Sequence, residues 1–164
     1  MVALTDSKRQ FLQLRLDTLT KQFGPLRYED ALACLRETES WLRLLPEDDV
    51  AYRKFHDDRQ RILTIMELIC QLEGLKRYDH CHPVKVLYLL DEDLKEKTFY
   101  VSLKVRTLRE LMTDLYDQIA ALYPQVPRQQ LNEELDLDVL NEDGSAWTDE
   151  DWTRREVPWP AIPQ

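Results

Sequence analysis

Residues 61–75 read RILTIMELICQLEGL, and no other stretch limits the possible folds of the chain so strongly. At about 100° per residue, Ile62, Leu63, Ile65, Met66, Leu68, Ile69, Cys70 and Leu72 cover an arc of roughly 220°. Thr64, Glu67 and Gln71 fill what is left. A surface helix carries a narrower apolar stripe, whereas a helix apolar over most of its girth is buried on several sides. The segment therefore requires other helices around it.

The rest of the chain supplies them. Thr5, Asp6 and Ser7 offer a helix start with an acid at the positive end of the helix dipole. Leu12, Leu16, Leu19 and Phe23 follow at helical spacing, and Gly24-Pro25 stops the run. A second helix is predicted from about Arg27 to Leu45, with Trp41 in or near the core because such a ring buries a large area. Pro46 and the three acids after it open a third helix that contains the apolar stretch and ends at Gly74. Asp49 with Arg53, and Asp57 with Arg61, are i,i+4 pairs on its wetter first half.

Residues 75–83 read as a loop, with Pro83 opening the next helix. Over residues 84–100 two patterns compete. Val84, Val86 and Tyr88 alternate as a strand would, with residues 98–101 as a hairpin partner. Asp91 with Lys95 and Asp93 with Lys97 have helical spacing instead, and no Gly or Asn marks a turn, so a helix is predicted. Val101, Val105, Leu108, Met112, Leu115, Ile119 and Leu122 then step by four and three, the repeat of a packed helix. Few opposite charges flank that seam, which favours an intramolecular bundle. Pro124 and Pro127 end it. The expected fold is all-α: a bundle of about five helices over residues 1–128 and an acidic extension over 129–164.

Charge is unevenly distributed. Residues 1–128 hold 20 Lys and Arg against 21 Asp and Glu, a net of −1, whereas residues 129–164 hold 2 against 10, a net of −8. Such an asymmetry gives the tail a role of its own, solubilising or binding. Trp147, Trp152 and Trp159 lie in it, and a purely solvated tail is poor in aromatics. Trp is the favoured anchor of interfaces, so these three are assigned to docking, on the bundle or on a protein partner. A short helix over 148–155 and an extended segment over 157–163 complete the reading. The three cysteines form no disulfide framework and there is no signal pattern, which places the chain in the cytoplasm. No apolar run is long enough to span a membrane.

Candidate chemistry is sparse. The loop after the third helix reads Arg77-Tyr-Asp-His-Cys-His82, and its Arg-x4-His spacing resembles the signature of the HEPN family of helical-bundle proteins, many of them metal-independent RNases. The resemblance implies Arg77 stabilising a phosphate and His82 transferring a proton, near the start of a late helix that faces a dimer cleft. Apart from the resemblance, the expectation for these residues is an ordinary polar loop. His80, His82 and the nearby cysteines lack the second ligand pair of a zinc site, so no metal and no cofactor are expected. Glu110, Asp114 and Asp117 form an acidic stripe without a second helix of acids to complete a magnesium cage. Lys95, Lys97, Lys104, Arg106 and Arg109 cluster along one region that could engage nucleic acid; a helical body with such a face is similar in architecture to small subunits of CRISPR effector complexes. The function expected is a non-catalytic adaptor subunit engaging a protein partner through the bundle surface and the Trp-bearing tail, with RNase and nucleic-acid-binding subunit as the alternatives. Oligomeric state is not legible from the residues.

Overall fold

The Thr5 hydroxyl accepts a hydrogen bond from the Lys8 backbone N–H at 3.2 Å and so caps the first helix, α1 (Asp6–Thr20). The computed structural model describes residues 4–141 and 144–148, which fall into two units, one running to His80 and the other beginning at Cys81. In the first unit α1 is followed by α2 (Tyr28–Leu44) and α3 (Val50–Glu73). The Asp30 carboxylate accepts from the Arg27 backbone N–H at the start of α2. Asp49 caps α3 through the Ala51 N–H at 2.8 Å, and Gly74 ends it at φ 67°, a left-handed conformation that a Cβ would strain.

Both α1 and α2 pack against α3. Ile62, Leu63, Thr64, Ile65 and Met66 are buried in succession, followed by Leu68 and Ile69, which no one-sided helix could achieve. Arg59 is buried in the same helix, and the Glu39 carboxylate on α2 meets its Nε at 3.3 Å, each side chain 2% exposed. Arg61 pairs with Asp58 at 3.2 Å, one turn back, rather than with Asp57. Trp41 departs from its expected burial: it is 46% exposed.

The second unit is not helical throughout. It contains β1 (Cys81–Leu90), β2 (Asp93–Ser102), α4 (Leu108–Leu122), α5 (Arg128–Glu134) and β3 (Asp136–Leu140). The strands form a sheet in the order β2-β1-β3, antiparallel at both junctions. Val84, Val86, Tyr88 and Leu90 of β1 point to one face and are buried with Phe99, Val101, Leu137 and Val139. Leu111, Leu115 and Ile119 of α4 and Leu131 of α5 complete that core, giving two layers, helices on one side of a sheet.

The all-α expectation is therefore wrong: among the described residues there are five helices and a three-stranded sheet, a mixed α/β chain. Three local features explain the error. Asp91 and Glu92 turn the hairpin with φ 52° and 63°, both left-handed, without the Asn or Gly that normally marks such a turn. Lys95 pairs with Asp93 at 3.0 Å along one face of a strand, so the helical spacing of Asp91 with Lys95 and Asp93 with Lys97 was coincidental. The four-three repeat also ran across an element boundary. Val101 lies in β2 and Val105 in the link, and α4 starts only after Thr107, whose hydroxyl accepts from the Glu110 N–H at 3.1 Å. Pro83 sits inside β1 rather than at a helix start. A two-residue turn makes Leu90 and Asp93 a hydrogen-bonded pair, so Pro83 directs its nitrogen toward the β3 side. There β3 has already ended opposite Lys85, and no ladder bond is lost. Of the helix predicted over 148–155 only Thr148, which is not helical, is described; the rest of it, the segment at 157–163, Trp152 and Trp159 lie outside the described residues.

Each left-handed non-glycine residue of that turn costs on the order of 1 kcal/mol. Glu92→Gly is therefore expected to stabilise the protein by about 1 kcal/mol. An upward shift of the urea midpoint at unchanged slope is the result that checks it.

Candidate functional site

Tyr28 begins α2 on its buried face, and the loop after α3 folds back over it. Its hydroxyl lies 2.9 Å from Nδ1 of His80, and the two rings meet edge-on at 5.9 Å. Both residues are buried, at 2% and 5% exposure. The Arg77 guanidinium lies 4.2 Å from the Tyr28 ring centroid. Its Nη1 meets Glu29 at 2.6 Å and its Nε meets Asp79 at 3.5 Å. The Arg77 carbonyl accepts a weak bond from the Cys70 thiol at 3.9 Å. Four polar side chains, Glu29 from α2 and Arg77, Asp79 and His80 from the loop, thus gather around one tyrosine. Burial, then the negative charge of Asp79, pushes the Tyr28 phenol well above its ordinary value of 10.0. Burial also raises the Cys70 thiol, which disfavours the nucleophilic thiolate there.

Arg77, one half of the Arg-x4-His motif, belongs to this cluster. His82, the other half, lies on β1 in the second unit, its ring 6.3 Å from that of Trp147. The motif runs from a loop into a strand, not into the helix start that the HEPN resemblance implied. Trp147 packs on the core of its own unit, and its backbone N–H bonds to the Val139 carbonyl at 2.8 Å.

The five basic candidates are spread over three environments. Lys95 and Lys97 are on β2, Lys95 held by Asp93 and Lys97 5.4 Å over the Phe99 ring. Lys104 and Arg106 are half-buried in the link to α4, and Arg109 is exposed in its first turn. The acidic stripe is likewise dispersed. Glu110 accepts from the Arg106 N–H, Asp114 from the Gln118 amide at 2.7 Å, and Asp117 from Arg128 at 2.8 Å. Among the described residues no cluster of three or more His, Cys, Asp or Glu is placed to hold a metal ion. An open groove of about 500 Å³ lies where α1 ends, walled by Asp17, Lys21 and Leu26.

One feature escaped sequence reasoning. Trp41 stacks on Phe55 at 5.9 Å and 6° between planes, yet stays 46% exposed, and Leu44 and Val50 beside the α2–α3 turn are 75% and 85% exposed. Glu37, four residues before Trp41 on the same helical face, is exposed, and that interruption of the apolar stripe was the available signal. No family model, no curated protein and no solved structure matches the chain. Among the described residues no helix is long and apolar enough to cross a membrane.

The raised phenols set the alkaline behaviour. Tyr88, buried and 3.1 Å from the Tyr123 hydroxyl, is pushed up like Tyr28, again chiefly by burial. A folded-state pKa above the unfolded one stabilises fully below the unfolded value and fades as pH climbs through the folded one. Unfolding free energy should therefore fall as pH rises beyond about 10, and the fall should be shallower in Tyr28→Phe and Tyr88→Phe. At neutral pH Tyr28→Phe should cost about 1–2 kcal/mol, since it removes the hydroxyl beside the buried His80. Chemical denaturation at a series of pH values reads both effects.

Proposed function

We infer that the chain is a protein-interaction module, an adaptor or small subunit that engages a protein partner through the surface of its helical unit. The observation that carries this reading is the Trp41–Phe55 stack, aromatic, ordered and left wet, with Leu44 and Val50 continuing it. An exposed aromatic anchor amid aliphatic side chains is the composition of an interface core rather than of a solvated face. Glu47, Asp48 and Asp49 are exposed at the neighbouring turn, which supplies an acidic rim and favours a partner with basic residues at its own rim. Of the tail tryptophans, Trp147 is engaged within its own unit, and Trp152 and Trp159 lie outside the described residues.

The alternative chemistries demand rearrangement. RNase action through Arg77 would require the guanidinium to exchange Glu29 and Asp79 for a phosphate. Nucleic-acid binding along β2 would require Lys95 to leave Asp93.

Trp41→Ala is the decisive variant. Half-exposed, Trp41 should contribute little to the fold, so stability should change by no more than about 1–1.5 kcal/mol. Binding to a co-purifying protein, once identified by mass spectrometry, should weaken by tenfold or more, as for a truncated interface anchor. Unchanged affinity measured by calorimetry would remove the assignment.

A further inference from the structure

The second unit carries another surface, independent of the Trp41 patch. Residues opposite one another in a sheet share a face. With Val84, Val86, Tyr88 and Leu90 turned to the core, the register puts three rows on the other side: Leu94–Leu89–Asp136, Glu96–Leu87–Asp138 and Thr98–Lys85–Leu140. Among the described residues of the second unit nothing covers this face. Leu94 is 62% exposed and Leu89 37%, with Leu87 half-buried beside them. The outcome is an apolar strip along β1, bounded by a carboxylate on β2 and two on β3.

The charges on that face do not cancel. Lys85 is its only cation in these rows, and Glu96 holds it at 2.7 Å. Asp136 and Asp138 are exposed and make no ion pair or side-chain hydrogen bond with the described residues. Asp is a poor strand former, and two of them on a five-residue strand are not there for local stability.

We propose that this outer face receives a basic amphipathic helix of a protein partner, lying along β1. Dimensions point to a helix. Neighbouring strands are about 4.8 Å apart, so the acids on β2 and β3 stand roughly 10 Å from each other, the width of a helix with its side chains. Along the strand, Asp136 and Asp138 are about 6.8 Å apart, as are Leu87 and Leu89. Residues i and i+4 of a helix are about 6 Å apart along its axis. A Lys or Arg pair at i,i+4 therefore matches the two aspartates while an apolar i,i+4 pair matches the two leucines. The negative face disfavours a nucleic acid as occupant.

The test uses the full chain, isotope-labelled, and a synthetic helical peptide with Leu at i, i+3, i+4 and i+7 and Lys or Arg along one flank. Backbone NMR shifts are expected at Leu87, Leu89, Leu94, Asp136 and Asp138. The Asp136→Asn, Asp138→Asn double variant, which keeps size and strand geometry, should lose about tenfold in affinity at low salt. A peptide with Glu in place of every Lys and Arg should not bind. Shifts confined to other residues, equal binding of the two peptides, or full affinity in the double variant would overturn the proposal. Trp41→Ala should leave this binding unchanged, so a failure here is separable from a failure of the helical-unit interface.

Discussion

A helix apolar around most of its circumference cannot be finished by a single neighbour, and α3 imposes that condition on the whole first unit. Ile62 to Met66 are buried without a break, so over that turn no side of the helix is left for water. The condition extends to polar residues of the same helix. Arg59 is drawn into the interior one turn before the apolar run, and the Glu39 carboxylate opposite helps to make this tolerable. A buried ion pair adds little net stability, because desolvation offsets the attraction, but losing either partner strands a charge. The pair therefore acts chiefly on register, admitting α2 against α3 only where Glu39 and Arg59 meet.

Helix positions in the first unit were largely legible because their signals were local, Thr5 as a cap and Gly24-Pro25 and Gly74 as stops, although α3 begins at Val50 behind the Asp49 cap and not at Pro46. The second unit was misread where the local signals were weak or borrowed from elsewhere. The hairpin has the right alternation at Val84, Val86 and Tyr88, but its turn uses Asp91 and Glu92, residues that resist positive φ. The apolar repeat that began at Val101 looked like one helix because strand and helix residues fell by chance on a four-three spacing. Thr107, whose hydroxyl accepts from the Glu110 N–H while the Glu110 carboxylate accepts from the Arg106 N–H, was the signal that placed the true start of α4. The Tyr28–His80 bond joins residues 52 apart in the chain, and no sequence period points to such a pair.

The cluster around Tyr28 shows why a short motif is a poor guide to chemistry. Arg77 and His82 are the two ends of one six-residue string, yet folding assigns them to different units. Arg77 spends its charge on Glu29, Asp79 and the Tyr28 ring, pinning the loop to α2. A cation needed for a phosphate is normally held by groups that orient it without neutralising it. Two carboxylates against one guanidinium do the reverse.

The sheet, finally, limits how the second unit can be recognised. An open strand edge invites another strand, and each edge here is guarded. Beyond β3 the chain returns, pairing Ala146 with Leu140 and bonding the Trp147 N–H to Val139. On β2 the outward backbone groups belong to Leu94, Glu96, Thr98 and Tyr100, given the hydrogen-bonded closing pair at Leu90 and Asp93. The Gln118 amide already occupies the Tyr100 carbonyl at 3.0 Å. Self-pairing of the remainder about a twofold axis at Glu96 would set Glu96 against its copy and Lys95 against Lys97, like charge on like charge in both rows. With edges closed by chain, amide and charge, and one face filled by α4 and α5, the outer face is the part of the sheet left open among the described residues. Its leucines and aspartates decide what can lie on it.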